Sequence, residues 1–402
     1  MIRIALITTW YPPVNGIAVN RMKAFVKYLS LNDKFQIDIF SIANEDIIIQ
    51  EKTNVTNYQF VNHSILNSLK ANTNDSYVIH NIKTVFRIIS NKIISNKYKH
   101  WSKKVLKTLI FNHQSTKYDL IISSYSPEES HLLALQLVKK FNIPWIADMR
   151  DEMSKNPGIN AEQKAKLHKI EIEINKYASC ITSVSKPILD DFRVLCPNVF
   201  YFQEIRNGYD HNLIIDNQNN INRDCLKIGY FGTFYGDRKP DNFFKSFLAI
   251  KDYINQKVEF HFYGVHKNFW IPVELKDYIF IYPGVDYETS IQLMSSMHAN
   301  LLVLPSGVGK GVYSGKIFDY ISSKSPILAF VDEDDVAAQL INDFNCGYVN
   351  DFNDIVKGSN SILEWLNDLN NDLNKTASEE QILSVHRKNQ IKKLEETILQ
   401  IV

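Results

Sequence analysis

The stretch Ile2-Arg-Ile-Ala-Leu-Ile-Thr-Thr9 decides the fold class, because its dense β-branched and aliphatic side chains are typical of a buried strand. A loop rich in proline and glycine follows at 11–16, and apolar residues then recur at helical spacing across 22–29. A second strand is predicted at 35–40. Strand, loop, helix and strand in this order predict a doubly wound α/β domain.

The same alternation runs through the first half of the chain and then starts again. Further strands are predicted at 118–124, 143–148 and 180–185, with helices at 128–141 and 161–178. Residues 211–224 are dominated by Asn and Asp, and the strands resume at 226–232, 258–264, 278–282, 300–305 and 326–331. At ~100–200 residues per domain, 402 residues fit two domains. We expect domains at 1–205 and 225–378, a linker at 206–224 and one terminal helix at 379–402.

Composition excludes several classes of protein. Hydrophobic residues make up 45% and charged residues 22%, which argues against a disordered chain. The net charge of +1 gives no reason to expect a nucleic-acid partner. The four cysteines lie far apart, so neither a disulfide scaffold nor a zinc ribbon is predicted, and a cytoplasmic location is the simplest interpretation. No run reaches the ~18 apolar residues of a membrane span, and the short apolar N-terminus is interpreted as a strand rather than a signal peptide.

One segment, 76–118, departs from this charge balance. It contains nine Lys or Arg residues and neither Asp nor Glu, and its apolar residues can share one helical face. Such a basic amphipathic segment can lie on an anionic membrane surface. The alternative is an ordinary helix with an apolar face in the core and a basic face in solvent.

The loop between Pro305 and Phe318 is the most informative candidate site. It follows a predicted strand and opens a helix, where Ser314, Gly315 and Lys316 can offer backbone N–H groups and a positive charge to a diphosphate. The loop is not a Walker A motif, because its glycine spacing differs and an isoleucine follows the lysine. A glycine-rich turn with an exposed Lys–Asp pair is the alternative.

A second loop, 232–240, places Arg238 at the end of another strand of the same domain. Alone it is a solvated turn. Together, Arg238 and Lys316 form a candidate clamp for an anion. No GxGxxG motif follows either opening strand, which argues against a nicotinamide-dependent dehydrogenase.

Taken together, the motifs resemble those of retaining glycosyltransferases of the family 4 type, which have the GT-B fold and build bacterial surface polysaccharides. The resemblance covers nearly the whole chain and implies two Rossmann-like domains that face each other across a cleft. The first would bind the acceptor and the second the nucleotide sugar, and the terminal helix, 379–402, would pack back on the first domain. The motifs are Tyr11-Pro-Pro-Val-Asn-Gly16, Ile143-Pro-Trp-Ile-Ala-Asp-Met-Arg-Asp151, Ser183-Val-Ser-Lys-Pro187, Asn207-Gly-Tyr-Asp210, Tyr313-Ser-Gly-Lys-Ile-Phe-Asp-Tyr320 and Lys324-Ser-Pro-Ile-Leu-Ala329.

The resemblance assigns roles on the donor side. Arg238 matches the family's phosphate lysine, its companion arginine falls at Thr233, and Lys316 would supply the second charge. Of the two glutamates that the family places eight residues apart, the second matches Asp319, which would bind the ribose, and the first matches Gly311. The remaining expected donor contacts are Gly284 and Val285 at the base and Tyr313, Ser314 and Gly315 at the helix start.

The acceptor side is expected at the strand that ends in Asp148-Met-Arg150-Asp151. The family often has a histidine where this chain has Arg150, and Asp148 or Asp151 could orient or deprotonate an acceptor hydroxyl. The alternative is an Asp–Arg ion pair that shapes the site. Gly16 and Asn207 complete the expected substrate contacts.

The sequence thus predicts a metal-independent glycosyltransferase without a cofactor, peripheral on the inner face of the cytoplasmic membrane. Its donor would be a nucleotide-diphosphate sugar, with UDP favoured by the family, and its acceptor a lipid-linked sugar or an oligosaccharide. A nucleotide-sugar epimerase on the same fold and a degenerate, non-catalytic nucleotide- or glycan-binding protein are the alternatives.

Overall fold

The computed structural model describes residues 1–14, 16–62, 98–213, 223–234, 236, 238–266, 269–305 and 311–402. These residues form two compact units. The first comprises Met1–Ser183, Leu189–Gln203 and Ile391–Val402, and the second comprises Val184–Ile188 and Glu204–Gln390. Each unit is built on its own sheet.

The first unit contains an eight-stranded sheet in the order β3-β4-β2-β1-β5-β6-β7-β8. The pairs β1–β2, β1–β5, β2–β4, β5–β6 and β6–β7 are parallel, and β3 is antiparallel to β4. The strands are β1 (Ile2–Ile7), β2 (Phe35–Ala43), β3 (Ile47–Lys52), β4 (Val55–Val61), β5 (Leu120–Tyr125), β6 (Trp145–Met149), β7 (Cys180–Ser183) and β8 (Tyr201–Glu204). The helices along this part of the chain are α1 (Ile17–Leu29), α2 (Lys99–Ser115), α3 (Glu129–Phe141), α4 (Ala161–Tyr177) and α5 (Lys186–Leu195).

The second unit contains a six-stranded parallel sheet in the order β11-β10-β9-β12-β13-β14. Its strands are β9 (Cys225–Phe231), β10 (Lys257–Tyr263), β11 (Ile279–Tyr282), β12 (Ala299–Val303), β13 (Ile327–Val331) and β14 (Gly347–Asp351). The helices that follow along the chain are α6 (Asp241–Ile250), α7 (Tyr287–Ser295), α8 (Gly315–Ser322), α9 (Val336–Asp343), α10 (Ile355–Asn370), α11 (Glu379–Ser384) and α12 (Arg387–Ile401).

Both faces of the second sheet are buried, as a doubly wound fold requires. Along β13, Ile327 and Ala329 pack into one hydrophobic cluster with α8 and α9, whereas Leu328 and Phe330 pack into another with α6 and α10. Successive side chains of a strand point to opposite faces, so a strand between two helical layers must be apolar at every position. This burial of both faces explains the continuous apolar runs of the sequence.

Two expectations about elements need correction. Residues 379–402 form two helices, α11 and α12, rather than one. The antiparallel strand β3 was not predicted from the sequence, because it is a fully exposed edge strand without a buried face.

The basic segment 76–118 is described only from residue 98, and 76–97 lie outside the described residues. In α2, Trp101, Val105 and Leu109 are buried in the first unit, whereas its lysines and Phe111 meet solvent. The reading as an ordinary amphipathic helix therefore holds for α2. In the described part of the chain, no helix is long and apolar enough to cross a membrane.

Candidate functional site

Glycine follows each of the neighbouring strands β9, β10 and β11 at the carboxyl edge of the second sheet. Gly232 (φ +103°) and Gly264 (φ +76°) adopt backbone conformations that strain any side chain. A Cβ atom placed on Gly264 would lie 3.4 Å from the Cα atom of Gly284 and 3.8 Å from that of Gly232. The three loops therefore form an edge of bare backbone, which a bound molecule can approach closely.

Helix α8 begins next to this edge. The side chain of Lys316, on its first turn, lies over Gly232, since a Cβ atom there would be 2.9 Å from Lys316 Cε. The N-cap residue Ser314 makes no capping hydrogen bond through its side chain within the described chain, and a Cβ atom on Gly315 would meet nothing within 4 Å. The first-turn N–H groups and the positive end of the helix dipole can therefore receive an anion.

Lys316 holds a positive charge in a half-buried position that offers it no carboxylate among the described residues. Its Nζ donates a hydrogen bond to the Tyr230 hydroxyl at 2.6 Å and lies 4.1 Å from the centroid of the Tyr230 ring. Burial, and then the charge of Arg238, lower the pKa of Lys316 from 10.5 to about 7. The structure thus brings the two predicted cations close enough to repel each other, and an anion between them would relieve that repulsion.

Thr233 plays a different part in this loop. Its Oγ1 donates a hydrogen bond to the carbonyl oxygen of Gly264 at 3.2 Å, which ties the loop after β9 to the loop after β10. No charge is placed at this position, so the cations at the edge are those of Arg238 and Lys316.

Asp319 lies one turn after Lys316 on α8. Its Oδ1 accepts a hydrogen bond from the Tyr287 hydroxyl at 2.7 Å. Burial raises the pKa of Asp319 from 3.8 to about 6, although Tyr287 and Arg387 act in the opposite direction. The Tyr287 oxygen in turn accepts from the backbone N–H of Asp210 at 3.3 Å. The carboxylate is therefore held by a side chain that lies outside the sequence motifs.

Gly311 occupies the position of the first family glutamate, and its backbone conformation and close neighbours disfavour a side chain there. Its φ is +88°, and a Cβ atom would lie 3.0 Å from Ser185 Oγ and 3.2 Å from Pro187 Cβ. Its N–H donates to Asp335 Oδ1 at 2.8 Å, which fixes this end of the loop. A carboxylate at this position would require a different loop conformation.

Of the other predicted donor-side residues, Gly284 and Val285 are exposed and Tyr313 is buried. Gly284 and Val285 are exposed beyond β11 and can border a ligand. Tyr313 is buried against Phe318, with the Arg206 guanidinium 5.8 Å from its ring centroid, and burial raises the pKa of Tyr313 to about 12. We assign Tyr313 to packing beneath α8 rather than to substrate contact. Asn207 is half-buried in the segment that leads to Asp210.

In the first unit, Asp148 is fully enclosed and cannot contact a substrate. Its carboxylate accepts two hydrogen bonds from Arg21, at 2.6 and 3.1 Å, and one each from Ser124 Oγ at 2.9 Å and Thr182 Oγ1 at 2.8 Å. Burial alone would raise the pKa of Asp148, but Arg21 and the two hydroxyls hold it below its ordinary value. The predicted substrate role of Asp148 is therefore replaced by a structural one.

Arg150 also serves the structure of the first unit. Its Nε and Nη2 donate to the carbonyl oxygens of Tyr125 and Ser126 at 2.6 and 3.0 Å. Trp10 Nε1 donates to the same Ser126 oxygen at 2.7 Å, and a Cβ atom on Gly16 would lie 3.2 Å from the Trp10 ring. These contacts join three loops at the carboxyl edge of the first sheet, where Gly16 lets α1 start close to Trp10.

Asp151, the next residue, differs from Asp148 and Arg150 in its hydrogen bonding. It is half-buried and has no hydrogen bond from any described residue. Burial raises the pKa of Asp151, opposed by the positive charge of Arg150. Of the three predicted acceptor-side residues, Asp151 is the one whose carboxylate remains available to a ligand.

Comparison with solved structures identifies the architecture. Sucrose-phosphate synthase from Thermosynechococcus elongatus matches with a TM-score of 0.66 and 15% identity, over 100% of this chain and 99% of that one. A glycosyltransferase from Rickettsia africae matches with a TM-score of 0.65 and 13% identity, over 100% and 98%. HepE from Anabaena in complex with UDP and glucose matches with a TM-score of 0.62 and 13% identity, over 100% of both chains. The chain has the GT-B fold. The predicted fold class is thereby confirmed.

No protein-family model and no curated protein matches the sequence. The GT-B fold therefore rests on the three-dimensional likeness, and the site rests on its own geometry. Within the described residues, no cluster of three His, Cys, Asp or Glu side chains could hold a metal ion.

Sequence reasoning missed Tyr230, Gly264 and Tyr287 in this GT-B chain. Tyr230 looks like an ordinary buried strand residue, and Gly264 ends a strand that carries no charged motif. Tyr287 starts a helix 32 residues before its partner Asp319. A glycine directly after successive predicted strands was the signal that could have identified this edge.

Proposed function

We propose that this chain is a glycosyltransferase that takes a sugar from a nucleotide-diphosphate sugar. The observation that carries the proposal is the position of Lys316, which lies beside Arg238 at the open start of α8 and over the bare backbone of Gly232. Two cations at a helix N-terminus suit a diphosphate. The GT-B neighbours support this assignment, since HepE is described in complex with UDP, with UDP and glucose, and with UDP-glucose.

The mechanism follows from the charge that develops in the reaction. Cleavage of the bond between the sugar and the diphosphate leaves a nucleoside diphosphate with growing negative charge. Lys316, Arg238 and the N–H groups of α8 are already in place to stabilise that charge, so no group has to be reoriented in the transition state. Donor binding also favours the protonated form of Lys316. The reaction retains the anomeric configuration and needs no metal ion, and UDP is the preferred nucleotide.

Asp151 is the candidate for positioning or deprotonating the acceptor hydroxyl. Its raised pKa and its lack of a hydrogen-bond partner in the described chain distinguish it from the ion-paired Asp148. The first domain, 1–205, then binds the acceptor, a glycan or a lipid-linked sugar of surface polysaccharide synthesis. The second, 225–378, binds the donor, and 206–224 connect them.

The test is ligand-induced thermal stabilisation by UDP, ADP, GDP and their sugar conjugates, each with and without EDTA. A ligand at ~100 times its dissociation constant adds about 2.7 kcal/mol to the free energy of unfolding, which raises Tm measurably. We expect stabilisation by one nucleotide, undiminished by EDTA and lost in Lys316→Ala. A panel without any stabilising member, or equal stabilisation of Lys316→Ala, would overturn the proposal.

Gly311 favours a second candidate function, a nucleotide-binding protein without transferase activity. The crowded positive-φ position disfavours a side chain larger than hydrogen, and glycine itself offers no group that could contact the donor sugar. Release of free nucleoside diphosphate from the nucleotide sugar, measured with and without glycan acceptors, separates the two. Binding without any turnover would favour the second candidate. A nucleotide-sugar epimerase would convert the nucleotide sugar into its epimer without an acceptor, and would release the diphosphate only if water hydrolysed the glycosyl bond.

Peripheral contact with the cytoplasmic membrane is part of the proposal. Helix α2 presents Lys99, Lys103 and Lys107 to solvent while Trp101, Val105 and Leu109 are buried, so the contact is mainly electrostatic. Co-sedimentation with vesicles of 30% anionic phospholipid should fall when these lysines are replaced by glutamine. The matched control replaces Lys388 and Lys392 of α12, which are also exposed. Equal losses in both variants would contradict a specific role for α2.

A further inference from the structure

The hydrogen bond between Tyr287 and Asp319 limits what a ligand can offer to this part of the site. Asp319 is half-buried on α8, and Tyr287, which is 41% exposed, is the first residue of α7. The Tyr287 hydroxyl donates its only hydrogen to Asp319 Oδ1 at 2.7 Å. The two oxygen atoms of this contact therefore lie side by side at the surface.

Both groups can still accept hydrogen bonds, but neither has a hydrogen left to donate. Asp319 Oδ2 has no hydrogen-bond partner in the part of the chain that the structure describes. The Tyr287 oxygen meets the backbone N–H of Asp210 at 3.3 Å, which occupies one of its two lone pairs. A ligand that satisfies the pair must supply two donors on adjacent atoms. A vicinal diol has this arrangement.

Both partners are fixed before any ligand arrives. The Ser322 hydroxyl donates to the backbone oxygen of Asp319 at 2.8 Å, so His211 Nε2, also 2.8 Å from that hydroxyl, must be the donor to it. His211 Nδ1 accepts the Leu213 N–H at 3.3 Å, and burial lowers the pKa of His211 to about 4, which keeps the ring neutral. The His211 ring lies 6.2 Å from that of Tyr287. The same segment of chain thus supports α8 and the tyrosine.

We propose that Tyr287 is a further ribose-binding residue: its oxygen accepts from one ribose hydroxyl of the nucleotide, while Asp319 Oδ2, at the position where the resemblance already implies a ribose contact, accepts from the other. The inference rests on the proposed function, because it requires a nucleotide at this edge. An aspartate reaches one methylene less far than a glutamate, and the tyrosine oxygen supplies the acceptor that the shorter carboxylate cannot extend to the second hydroxyl. Tyr287 is thereby a specificity-determining residue for ribonucleotides.

The test compares how strongly each variant prefers the ribonucleotide over its deoxy analogues, rather than its affinity for one nucleotide. Dissociation constants are measured calorimetrically for UDP, 2′-deoxy-UDP and 3′-deoxy-UDP, and for the ADP and GDP series in parallel, with wild type, Tyr287→Phe and Asp319→Asn. We expect wild type to prefer the ribonucleotide over both deoxy analogues. In Tyr287→Phe, UDP should bind about tenfold more weakly, whereas the analogue that lacks the hydroxyl facing Tyr287 should bind almost as in wild type.

The matched control is Tyr348→Phe. The Tyr348 hydroxyl also donates to a carboxylate in the same unit, Asp368 Oδ2, at 2.7 Å, but its strand β14 lies at the far edge of the sheet from β11. This variant should leave every preference unchanged. If Tyr287→Phe weakens all three nucleotides by the same factor, or none, the inference is wrong although the proposed function stands. If wild type binds no nucleotide, both are wrong.

Discussion

Replacement of Lys316 by methionine should stabilise the fold while it abolishes nucleotide binding. The side chain is half-buried next to a like charge, and the Tyr230 hydroxyl is the hydrogen-bond partner that the structure gives its ammonium group. Methionine keeps a stem of similar length over Gly232 and against the Tyr230 ring, and it removes the charge. The variant therefore isolates the electrostatic cost of the lysine.

The magnitude follows from the pKa of Lys316, which burial and Arg238 lower from 10.5 to about 7. Each pKa unit corresponds to about 1.4 kcal/mol. Solvent still reaches the side chain and screens its charge, so the free energy that corresponds to the full pKa shift is an overestimate. We expect Lys316→Met to raise the free energy of unfolding by about 1–2 kcal/mol. For a unit of this size that raises Tm by about 2–8 °C. The unfolded chain holds the lysine proton more tightly, so the gain is complete below pH 7 and disappears as the pH rises toward 10.

The assay is urea unfolding of wild type and Lys316→Met at pH 7 and pH 9.5, with calorimetric titration of UDP on both proteins. Lys357→Met is the control, because that exposed lysine pairs with Glu333 at 2.8 Å and its loss should change the free energy of unfolding by less than about 0.5 kcal/mol. A Lys316→Met protein that is less stable than wild type and still binds UDP would refute the reasoning.

Three further predictions concern the other ionisable groups. Arg21→Met leaves the Asp148 carboxylate buried without its counterion, so urea unfolding should show a loss of about 3–5 kcal/mol, and a loss below 1 kcal/mol would contradict the structural role of the pair. Relative to Asp319→Asn, affinity for the nucleoside diphosphate should fall as the pH drops from 7 to 5, because burial raises the pKa of Asp319 to about 6 and the protonated acid accepts fewer hydrogen bonds. Protonation of Lys316, whose pKa is about 7, favours binding in both proteins and cancels in this comparison. Since the terminal phosphate titrates in the same range, the comparison is with Asp319→Asn, and identical pH profiles would remove Asp319 from the site. Asp151→Asn should lower kcat by about 10²–10⁴ without changing donor affinity, and unaltered turnover would exclude it as the base.

The fold was predictable because its signal is local. Parallel strands covered on both faces must be apolar at consecutive positions, and the sequence shows this at 226–232 and 326–331. The break between α11 and α12 was not predictable, because the helical pattern continues through it. There the Arg387 N–H bonds the carbonyl oxygen of Tyr209 at 3.0 Å, far away in the sequence. A contact between distant segments leaves no trace in local periodicity.

The candidate site also contains some residues that the sequence predicts and others that it does not. Glycines and cations at strand ends are visible in the sequence, and they led to Arg238 and Lys316. Tyr287 was missed because its function depends on where α7 and α8 start relative to each other. Asp148 was assigned to substrate because an aspartate at a strand end looks the same in the sequence whether it faces outward or meets Arg21 inside.

The buried charges of the two units show how a structural charge differs from one kept for a ligand. Asp148 is fully enclosed, yet Arg21 and two hydroxyls saturate it and hold its pKa below the ordinary value. Lys316 and Asp319 are only half-buried, yet burial moves both pKa values toward neutrality, to about 7 and about 6. The difference is the supply of partners within the fold. A group that folding leaves poorly compensated lowers the stability of the free protein, and an anion at Lys316 or a diol at Asp319 would supply what is missing, which is why we place the proposed donor site at these two positions.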